Sequence, residues 1–332
     1  MANLFSPLQV KEFTLKSRIV MPPMANNVAD QNGAVIDAHI EHYVRRAPGV
    51  GMVIVEHAYV RRDGRLRKRQ LGIHDDVLIP GLRRLAEAIK ACDTVVGIQI
   101  THGGGAVSQE TAETQPVAPS EGILPPGGTE PARGLRGDEV QGIVDAFVAA
   151  AQRALAAGFD FVELHGAHGY LLSEFLSPLA NRRSDEYGGS LENRLRLPLQ
   201  VVEAVRQVVD AKHLLLYRLG ADDLLPGGLT QQEGRQAAEA LTAAGVDLLD
   251  ISGGLGGAET PNWDGTSQGY FVPMGAAIQA QVDVPVVVTG GITEAQFADQ
   301  VIRSGQVELI GVGRALLSNP DWVTEARAKL GQ

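Results

Sequence analysis

The sequence predicts an α/β fold, a (β/α)8 TIM barrel with a short N-terminal hairpin and long βα loops. Two observations favour this fold class. Eight short apolar segments alternate with helical patterns along the 332 residues. After the first segment comes Pro22-Pro23-Met24-Ala25, not the glycine-rich fingerprint of an open dinucleotide-binding sheet. We therefore expect residues 1–332 to form one barrel domain.

Short apolar runs bounded by turn residues predict eight strands. Lys11–Lys16 precedes the first strand and is assigned to a hairpin that closes the bottom of the barrel. The predicted strands are Arg18–Met24, Met52–Glu56, Val95–Ile100, Phe159–Leu164, His213–Leu219, Asp247–Ser252, Pro285–Thr289 and Val307–Val312.

Helical spacing of apolar residues predicts eight helices between and after the strands. Residues 103–137 are rich in Gly, Pro, Thr and Ser and follow the third strand, where a barrel carries a lid over its site. A mobile surface insertion is the alternative. The predicted helices are Ile36–Arg46, Gly81–Cys92, Asp138–Ala157, Leu191–Val209, Gln231–Ala244, Phe271–Gln281, Glu294–Ser304 and Ala315–Leu330.

Composition disfavours several classes of protein. A net charge of −10 argues against a nucleic-acid or anionic-membrane partner, although it leaves room for local basic sites. The single cysteine, Cys92, rules out a disulfide framework and a cysteine-ligated iron–sulfur cluster. The first residues lack the basic segment and apolar core of a signal peptide, and no apolar run approaches membrane-spanning length. We expect a cytoplasmic protein.

Polar side chains follow the fourth strand, at the barrel end that carries chemistry. His165 and His168 can donate hydrogen bonds to an oxygen that acquires charge, and the phenol of Tyr170 can supply a proton. The alternatives are two structural histidines, or a metal site completed by Glu163 or Glu174. We favour the interpretation in which the two histidines donate hydrogen bonds to a carbonyl oxygen, because Tyr170 follows them immediately and no nucleophile stands nearby. No metal is predicted.

The turns after the last two strands indicate a phosphate site. Gly290-Gly291 follows the seventh strand and Gly313-Arg314 the eighth, the positions at which barrels commonly bind phosphate. Glycines let backbone N–H groups approach phosphate oxygens, and the arginine guanidinium adds a positive charge that can donate two parallel hydrogen bonds. The alternative is that these glycines serve only tight turns.

Arg218 and Gln99 stand at the ends of otherwise apolar strands. A buried arginine needs a negative partner, so the alternatives for Arg218 are an ion pair with one of three aspartates or a charge beside a cofactor ring that becomes anionic on reduction. Gln99 suits the polar edge of a heterocycle and is equally plausible as a structural amide. The three aspartates are Asp222, Asp223 and Asp250.

The segment from His165 to Ser190, with Glu192-Asn193-Arg194, resembles the active-site block of the old yellow enzyme family of FMN-dependent ene reductases. The resemblance extends over essentially the whole chain and implies non-covalent FMN at the barrel mouth, NADPH or NADH as reductant, and a stand-alone barrel without an iron–sulfur domain. The other matching segments are Leu4–Leu8, Lys16–Met24, Pro116–Ser120 and Gly313–Asp321.

The resemblance also implies a role for each candidate residue. His165 and His168 would hold the substrate carbonyl oxygen, and Tyr170 would be the proton donor. Gln99 would contact the polar edge of the flavin, and Arg218 would face its N1/O2 end. Pro23, Met24, Ala25 and His57 would line the ring, and Gly290, Gly291, Gly313 and Arg314 would bind the phosphate.

The implied reaction is ene reduction. Hydride passes from NAD(P)H through flavin N5 to the β-carbon of an α,β-unsaturated carbonyl compound, and the α-carbon is protonated. The alternative is a related flavin-barrel dehydrogenase or demethylase acting on an amine or cyclic substrate. The expected partners are therefore NAD(P)H and a small activated alkene, without nucleic acid or membrane, and a homo-oligomer is left open.

The chain departs from the family at two places. Ala25 stands where many bacterial relatives carry Cys or Thr, so a side-chain hydrogen bond near flavin O4/N5 is missing. Asn26-Asn27 stands where many relatives carry a tyrosine. These departures bear on flavin potential and substrate range more than on the reaction class.

Overall fold

The computed structural model describes residues 2–122, 131–260 and 263–332. Eight parallel strands close a barrel in chain order, and the last pairs with the first, which confirms the predicted fold class. Residues 123–130 of the predicted lid lie outside the described residues. The barrel strands are β3 Ile19–Met21, β4 Met52–Tyr59, β5 Val95–Thr101, β8 Phe161–Gly166, β9 Leu214–Gly220, β10 Leu248–Ser252, β11 Val286–Val288 and β12 Leu309–Gly311.

Helices follow the strands and cover the outside of the barrel. Two short strands in the predicted lid segment, β6 Val117–Ala118 and β7 Arg133–Gly134, pair with each other. The helices are α1 Asp37–Val44, α2 Ile79–Lys90, α3 Gln109–Ala112, α4 Gly137–Ala156, α5 Leu171–Leu176, α6 Leu191–Val208, α7 Gln231–Ala243, α8 Val272–Gln279, α9 Ala295–Arg303, α10 Arg314–Ser318 and α11 Trp322–Lys329. Within the described ranges, none of them combines the length and the apolar character that a bilayer crossing requires.

The last predicted helix, Ala315–Leu330, is wrong as a single element. It forms two helices, α10 and α11, separated at Asn319 and Pro320. Proline disfavours helical backbone in the residue before it, and Asn319 is extended, with φ −132° and ψ 97°. The chain therefore turns at Pro320 before the second helix begins.

The N-terminal hairpin closes the bottom of the barrel, as predicted. Strands β1 Leu8–Val10 and β2 Phe13–Leu15 pair antiparallel. Val10 and Leu15 are buried against apolar side chains inside the barrel, among them Met52, Phe161 and Leu214. This end of the barrel is therefore filled and apolar.

Inward-facing side chains change from apolar to polar along the barrel axis. Alternate strand residues face inward, so β9 presents Leu214 and Leu216 at the bottom and Arg218 nearer the carboxyl end. Strand β8 changes in the same way, from Phe161 to Glu163 and then His165. The fold thereby places a buried polar layer directly beneath the rim that carries the site.

Gly97 makes room for a core ring. It pairs with Phe161 on the neighbouring strand, and a Cβ built at Gly97 would overlap the Phe161 ring. Gly97 therefore provides the space that a large interior side chain occupies at the bottom of the barrel.

We predict that Gly97→Ala lowers the free energy of unfolding by about 1–3 kcal/mol through overpacking. Phe161→Ala should cost about 3–5 kcal/mol by leaving a cavity. The double variant should lose less than the sum of these costs, because the missing ring makes room for the added methyl. Chemical denaturation measures the three values, with Gly137→Ala as the control, since a Cβ there meets nothing within 4 Å. Additive costs would contradict the shared space.

Candidate active site

Two histidines converge at the carboxyl end of β8. The Ala167 N–H donates to His165 Nδ1 at 3.3 Å, and His168 Nε2 lies 2.8 Å from Ser252 Oγ. The His168 backbone is left-handed, with φ 61°, and its N–H donates to Gly253 O at 3.1 Å. The two rings are 5.0 Å apart. The structure thus brings the predicted pair together and leaves one ring nitrogen of each without a hydrogen-bond partner among the described residues.

Tyr170 directly precedes helix α5 and faces the histidines. Its ring centroid is 4.8 Å from that of His165 and 5.8 Å from that of His57. Burial raises the pKa of the Tyr170 phenol, and the charges of Arg67 and Arg218 oppose this shift. The phenol therefore carries its proton at neutral pH, as a proton donor must.

His57 lies within the same cluster of rings. Leu66 N–H donates to Gln70 Oε1, so Gln70 Nε2 is the amide nitrogen that lies 2.7 Å from His57 Nδ1. An amide nitrogen only donates, so Nδ1 accepts and the proton of the neutral ring is on Nε2. Sequence reasoning found His57 but missed Gln70, which has no motif of its own.

Burial keeps the three imidazoles neutral. It is the largest cause that lowers the pKa of His57, His165 and His168, and the positive charge of Arg218 acts in the same direction on all three. Neutral imidazoles each carry one N–H donor. The cluster can therefore donate hydrogen bonds to an oxygen without carrying a charge of its own.

Four polar side chains form the layer beneath these rings. Gln99 Nε2 donates to Glu163 Oε2 at 2.6 Å, and Arg218 Nε lies 3.3 Å from Asp250 Oδ2. The ion-pair alternative for Arg218 is thus realised with Asp250. Gln99 Oε1 and Arg218 Nε are buried and have no hydrogen-bond partner among the described residues.

A cavity of about 530 Å³ opens at the ends of β11 and β12. Arg218 and Ser252 border it, so it adjoins the histidine cluster. Pro23, Ala25, Gln99 and the ring cluster do not border it. Of the other predicted cofactor residues, it is bordered by Met24, Gly290, Gly291, Gly313 and Arg314.

Arg314 is held by three residues that sequence reasoning missed. It pairs with Glu259 at 2.6 Å, lies 4.1 Å from the centre of the Trp263 ring and donates to the Tyr270 hydroxyl at 3.3 Å. All three belong to the loop between β10 and α8. The length of that loop was the signal that could have drawn attention to it.

The residues present fit FMN. Gly290 and Gly291 have positive φ, 143° and 66°, which favours glycine, and both residues border the cavity. With Arg314 they suit a phosphate, while Gln99 Oε1, which lacks a hydrogen-bond partner, and the guanidinium of Arg218, which borders the cavity, suit the nitrogens and oxygens of a flavin ring. The described ranges hold no group of three His, Cys, Asp or Glu side chains positioned for a metal ion.

A closed barrel with glycine turns and an arginine at one end of a cavity, and with neutral imidazoles and a phenol beside it, is compatible with a flavin-dependent oxidoreductase. The sequence matches the NADH:flavin oxidoreductase / NADH oxidase family over residues 3–332, and the chain belongs to that family. It is therefore an FMN-containing, NAD(P)H-dependent oxidoreductase of the old yellow enzyme type.

Relatives agree with this assignment. The chain is 39% identical to an NADPH dehydrogenase from Geobacillus sp. (strain WCH70), covering 99% of this chain and 94% of the relative. It is also 39% identical to an NADH oxidase from Thermoanaerobacter brockii, covering 98% of this chain but only 50% of that relative. The chain thus spans about half the length of one curated relative and nearly all of another.

Solved structures share the fold. An old yellow enzyme homologue from Zymomonas mobilis superposes with a TM-score of 0.86 at 28% identity, covering 99% of this chain and 93% of that one. A 2-naphthoyl-CoA reductase complex superposes with a TM-score of 0.93 at 26% identity, covering 99% of this chain and 52% of that one.

Glu174 anchors a loop behind the site. It is fully buried on α5, and Gly105 N–H donates to its two carboxyl oxygens at 2.9 and 3.1 Å. Burial raises the pKa of Glu174 to about 8. This carboxyl therefore joins the helix that follows Tyr170 to the loop after β5, and it is protonated at neutral pH.

We predict a stability loss with rising pH that Glu174→Gln removes. The folded protein binds this proton more tightly than the unfolded chain, so the contribution is complete below pH 4.5 and is lost as pH rises through about 8. The slope within this window approaches about 1.4 kcal/mol per pH unit. Urea unfolding at several pH values measures it, with exposed Glu203→Gln as the control. An unchanged slope in Glu174→Gln would contradict the assignment.

Proposed function

We propose that this protein is an ene reductase that uses NAD(P)H to reduce α,β-unsaturated carbonyl compounds, built as one FMN-binding barrel domain over residues 1–332. The observation that carries the proposal is the convergence of His165, His168 and Tyr170 beside Arg218. When bound, FMN supplies the hydride chemistry between NAD(P)H and the alkene. The similarity to 2-naphthoyl-CoA reductase extends the candidate carbonyl compounds to thioesters.

The histidines bind the carbonyl oxygen of the substrate. His165 Nδ1 accepts from Ala167, so its proton is on Nε2. Ser252 Oγ engages His168 Nε2, and when this hydroxyl donates, the His168 proton is on Nδ1. Two neutral donors then converge on one oxygen and stabilise the negative charge it gains, each by roughly 3 kcal/mol.

Tyr170 supplies the proton that the α-carbon needs. Burial keeps the phenol protonated until the substrate carbon becomes basic, and Arg67 and Arg218 stabilise the phenolate that remains. The close contact with the His165 ring fixes the phenol next to the bound carbonyl group. Tyr170 is therefore placed to act as a general acid.

Ten residues are proposed to hold the cofactor. Arg314 would exchange Glu259 for the phosphate, and this exchange costs little because both side chains are about half exposed in a surface ion pair. Arg218 and Gln99 offer a charge and an amide to the ring. The proposed set is Pro23, Met24, Ala25, His57, Gln99 and Arg218 for the ring, with Gly290, Gly291, Gly313 and Arg314 for the phosphate.

Oxidation of an amine or cyclic substrate is the alternative reaction. Electrostatics favours the enone, because neutral imidazole donors and the positive charges of Arg67 and Arg218 suit a carbonyl oxygen and repel an ammonium ion. Steady-state turnover of cyclohexenone with NADPH, compared with oxidation of amines by an artificial acceptor, tests the choice. Amine oxidation without enone reduction would overturn the proposal.

We predict that Tyr170→Phe separates the two half-reactions. Consumption of NADPH by the oxidised holoenzyme needs no proton from a phenol, so its anaerobic stopped-flow rate should stay within a few-fold of the parent. Reaction of the prereduced enzyme with cyclohexenone needs α-carbon protonation and should slow by about 10²–10⁴-fold.

The same measurement shows what else Tyr170 could do. Equal slowing of both half-reactions would mean that Tyr170 positions the cofactor or the nicotinamide. No change in either would mean that the proton comes from water or from another residue. A nitroalkene, which can leave as a stable nitronate, is the matched substrate control and should be affected less.

A further inference from the structure

One acid borders the cavity at the ends of β11 and β12. Among the described residues that line this cavity, Glu259 is the one carboxylate, and Arg218 and Arg314 are the two cations. Glu259 is about half exposed and belongs to the loop between β10 and α8. A carboxylate repels the phosphate that this cavity is proposed to hold, so the position of Glu259 needs an explanation.

Glu259 and its loop occupy the edge of the Arg314 guanidinium. Arg314 Nη1 donates to Glu259 Oε1 at 2.6 Å, and Nη2 donates to the Tyr270 hydroxyl at 3.3 Å. That hydroxyl donates in turn to Ala258 O at 3.1 Å. Both terminal nitrogens of the guanidinium therefore have partners on one loop. A phosphate that accepts two parallel hydrogen bonds from Arg314 needs at least one of these nitrogens.

Trp263 contacts the face of the same guanidinium. Arg314 Cζ lies 4.1 Å from the centre of the indole ring, and the indole N–H donates to Ser267 O at 2.8 Å. Stacking uses the face of the planar guanidinium, whereas hydrogen bonds use its edge. Trp263 can therefore hold Arg314 at the cavity while the partner at the edge changes.

The middle of the loop is joined to the barrel through Arg314. The end next to α8 is held separately, because Gly269 N–H donates to Gly290 O at 2.6 Å. In the described residues 257–260 and 263–267, Arg314 is the one residue outside the loop that makes a hydrogen bond, ion pair or aromatic contact. The ion pair is therefore the contact through which this loop can act on Arg314.

We propose that Glu259 is an internal competitor for the FMN phosphate. Its carboxylate and the phosphate need the same edge of Arg314, and their like charges disfavour binding side by side. Glu259 thereby lowers the affinity for the phosphorylated flavin and leaves the affinity for the ring unchanged. It is a positioning residue that acts through Arg314. The inference rests on the proposed phosphate role of Arg314 and extends it to a residue that sets how tightly the chain retains FMN.

Titration of the full chain, stripped of its flavin, with FMN and with riboflavin tests the proposal. The two flavins share the ring, and only FMN carries the phosphate. Glu259→Gln should tighten FMN binding by about 3- to 10-fold, because it removes a competing surface ion pair and a like charge beside the phosphate. Riboflavin binding should stay as in the parent. The change in flavin fluorescence on binding measures both dissociation constants, and a damaged fold cannot produce tighter binding.

Glu110→Gln is the matched control. Glu110 is an exposed acid that pairs with Lys68, and it does not border the cavity. Its substitution removes the same charge and a comparable ion pair elsewhere on the chain, so both dissociation constants should stay unchanged. If this variant gained as much FMN affinity as Glu259→Gln, net charge alone would explain the effect and the proposal would be overturned.

Arg314→Gln shows whether Glu259 acts through the arginine. Alone, this substitution should weaken FMN binding by about 10-fold or more, as expected for loss of a charge-assisted contact, and leave riboflavin unaffected. In this background Glu259→Gln should gain little, because the group for which the two anions compete is gone. A full gain in the double variant would mean that Glu259 repels the phosphate directly, which would overturn the competition.

The single variant decides the matter if Arg314→Gln fails to fold. Unchanged or weaker FMN binding in Glu259→Gln, or an equal gain for riboflavin, overturns the proposal. If Arg314→Gln folds and keeps the parent's preference for FMN over riboflavin, the proposed phosphate site is wrong and the competition fails with it.

Turnover of cyclohexenone by the FMN-loaded parent reports separately on the proposed reaction. Lack of turnover, together with the expected flavin affinities, would remove the reaction and support the role of Glu259.

Discussion

The buried polar layer across the barrel interior is the constraint on which the site depends. Arg218 and Asp250 occupy paired positions on neighbouring strands, and Gln99 and Glu163 pair on two others. Each isolated ion here would cost several kcal/mol. The Arg218–Asp250 pair offsets part of that cost, while burial and repulsion from Asp250 raise the pKa of Glu163 and keep it protonated. The layer is thus close to neutral and still presents a guanidinium to the cavity.

The same burial sets the protonation of the residues above the layer. Away from water, and above the charge of Arg218, an imidazolium is disfavoured, so His57, His165 and His168 are neutral. Their hydrogen-bond partners then decide which ring nitrogen carries the proton. The Ala167 N–H fixes His165 in this way without any further charged group. The rim therefore offers oriented donors to an uncharged carbonyl compound.

Sequence reasoning predicted the barrel because each strand is a short apolar run, and it predicted the rim because strand ends carry the chemistry of this fold. Residue chemistry indicated the roles proposed for Tyr170 and Arg314, and the family resemblance implied the same roles. The partners of these residues were not predictable, since Glu259 meets Arg314 across 55 residues of chain. Gln70 likewise reads as an ordinary polar residue until its amide is placed against His57. Such contacts depend on loop paths and rotamers, which no residue spacing encodes.

Net charge bears on extended polyanions and says little about small anions. The net charge of −10 is spread over the whole chain. Physiological salt screens charges that are more than about 8 Å away, which is the Debye length, so most of this charge has little effect at any one point of the rim. A small anion at the rim instead meets the nearest charges, and those that border the cavity include Arg218 and Arg314. An acidic protein can therefore repel a nucleic acid and still attract a phosphate to one side of its active site. Chain-wide composition and local geometry answer two different questions about partners.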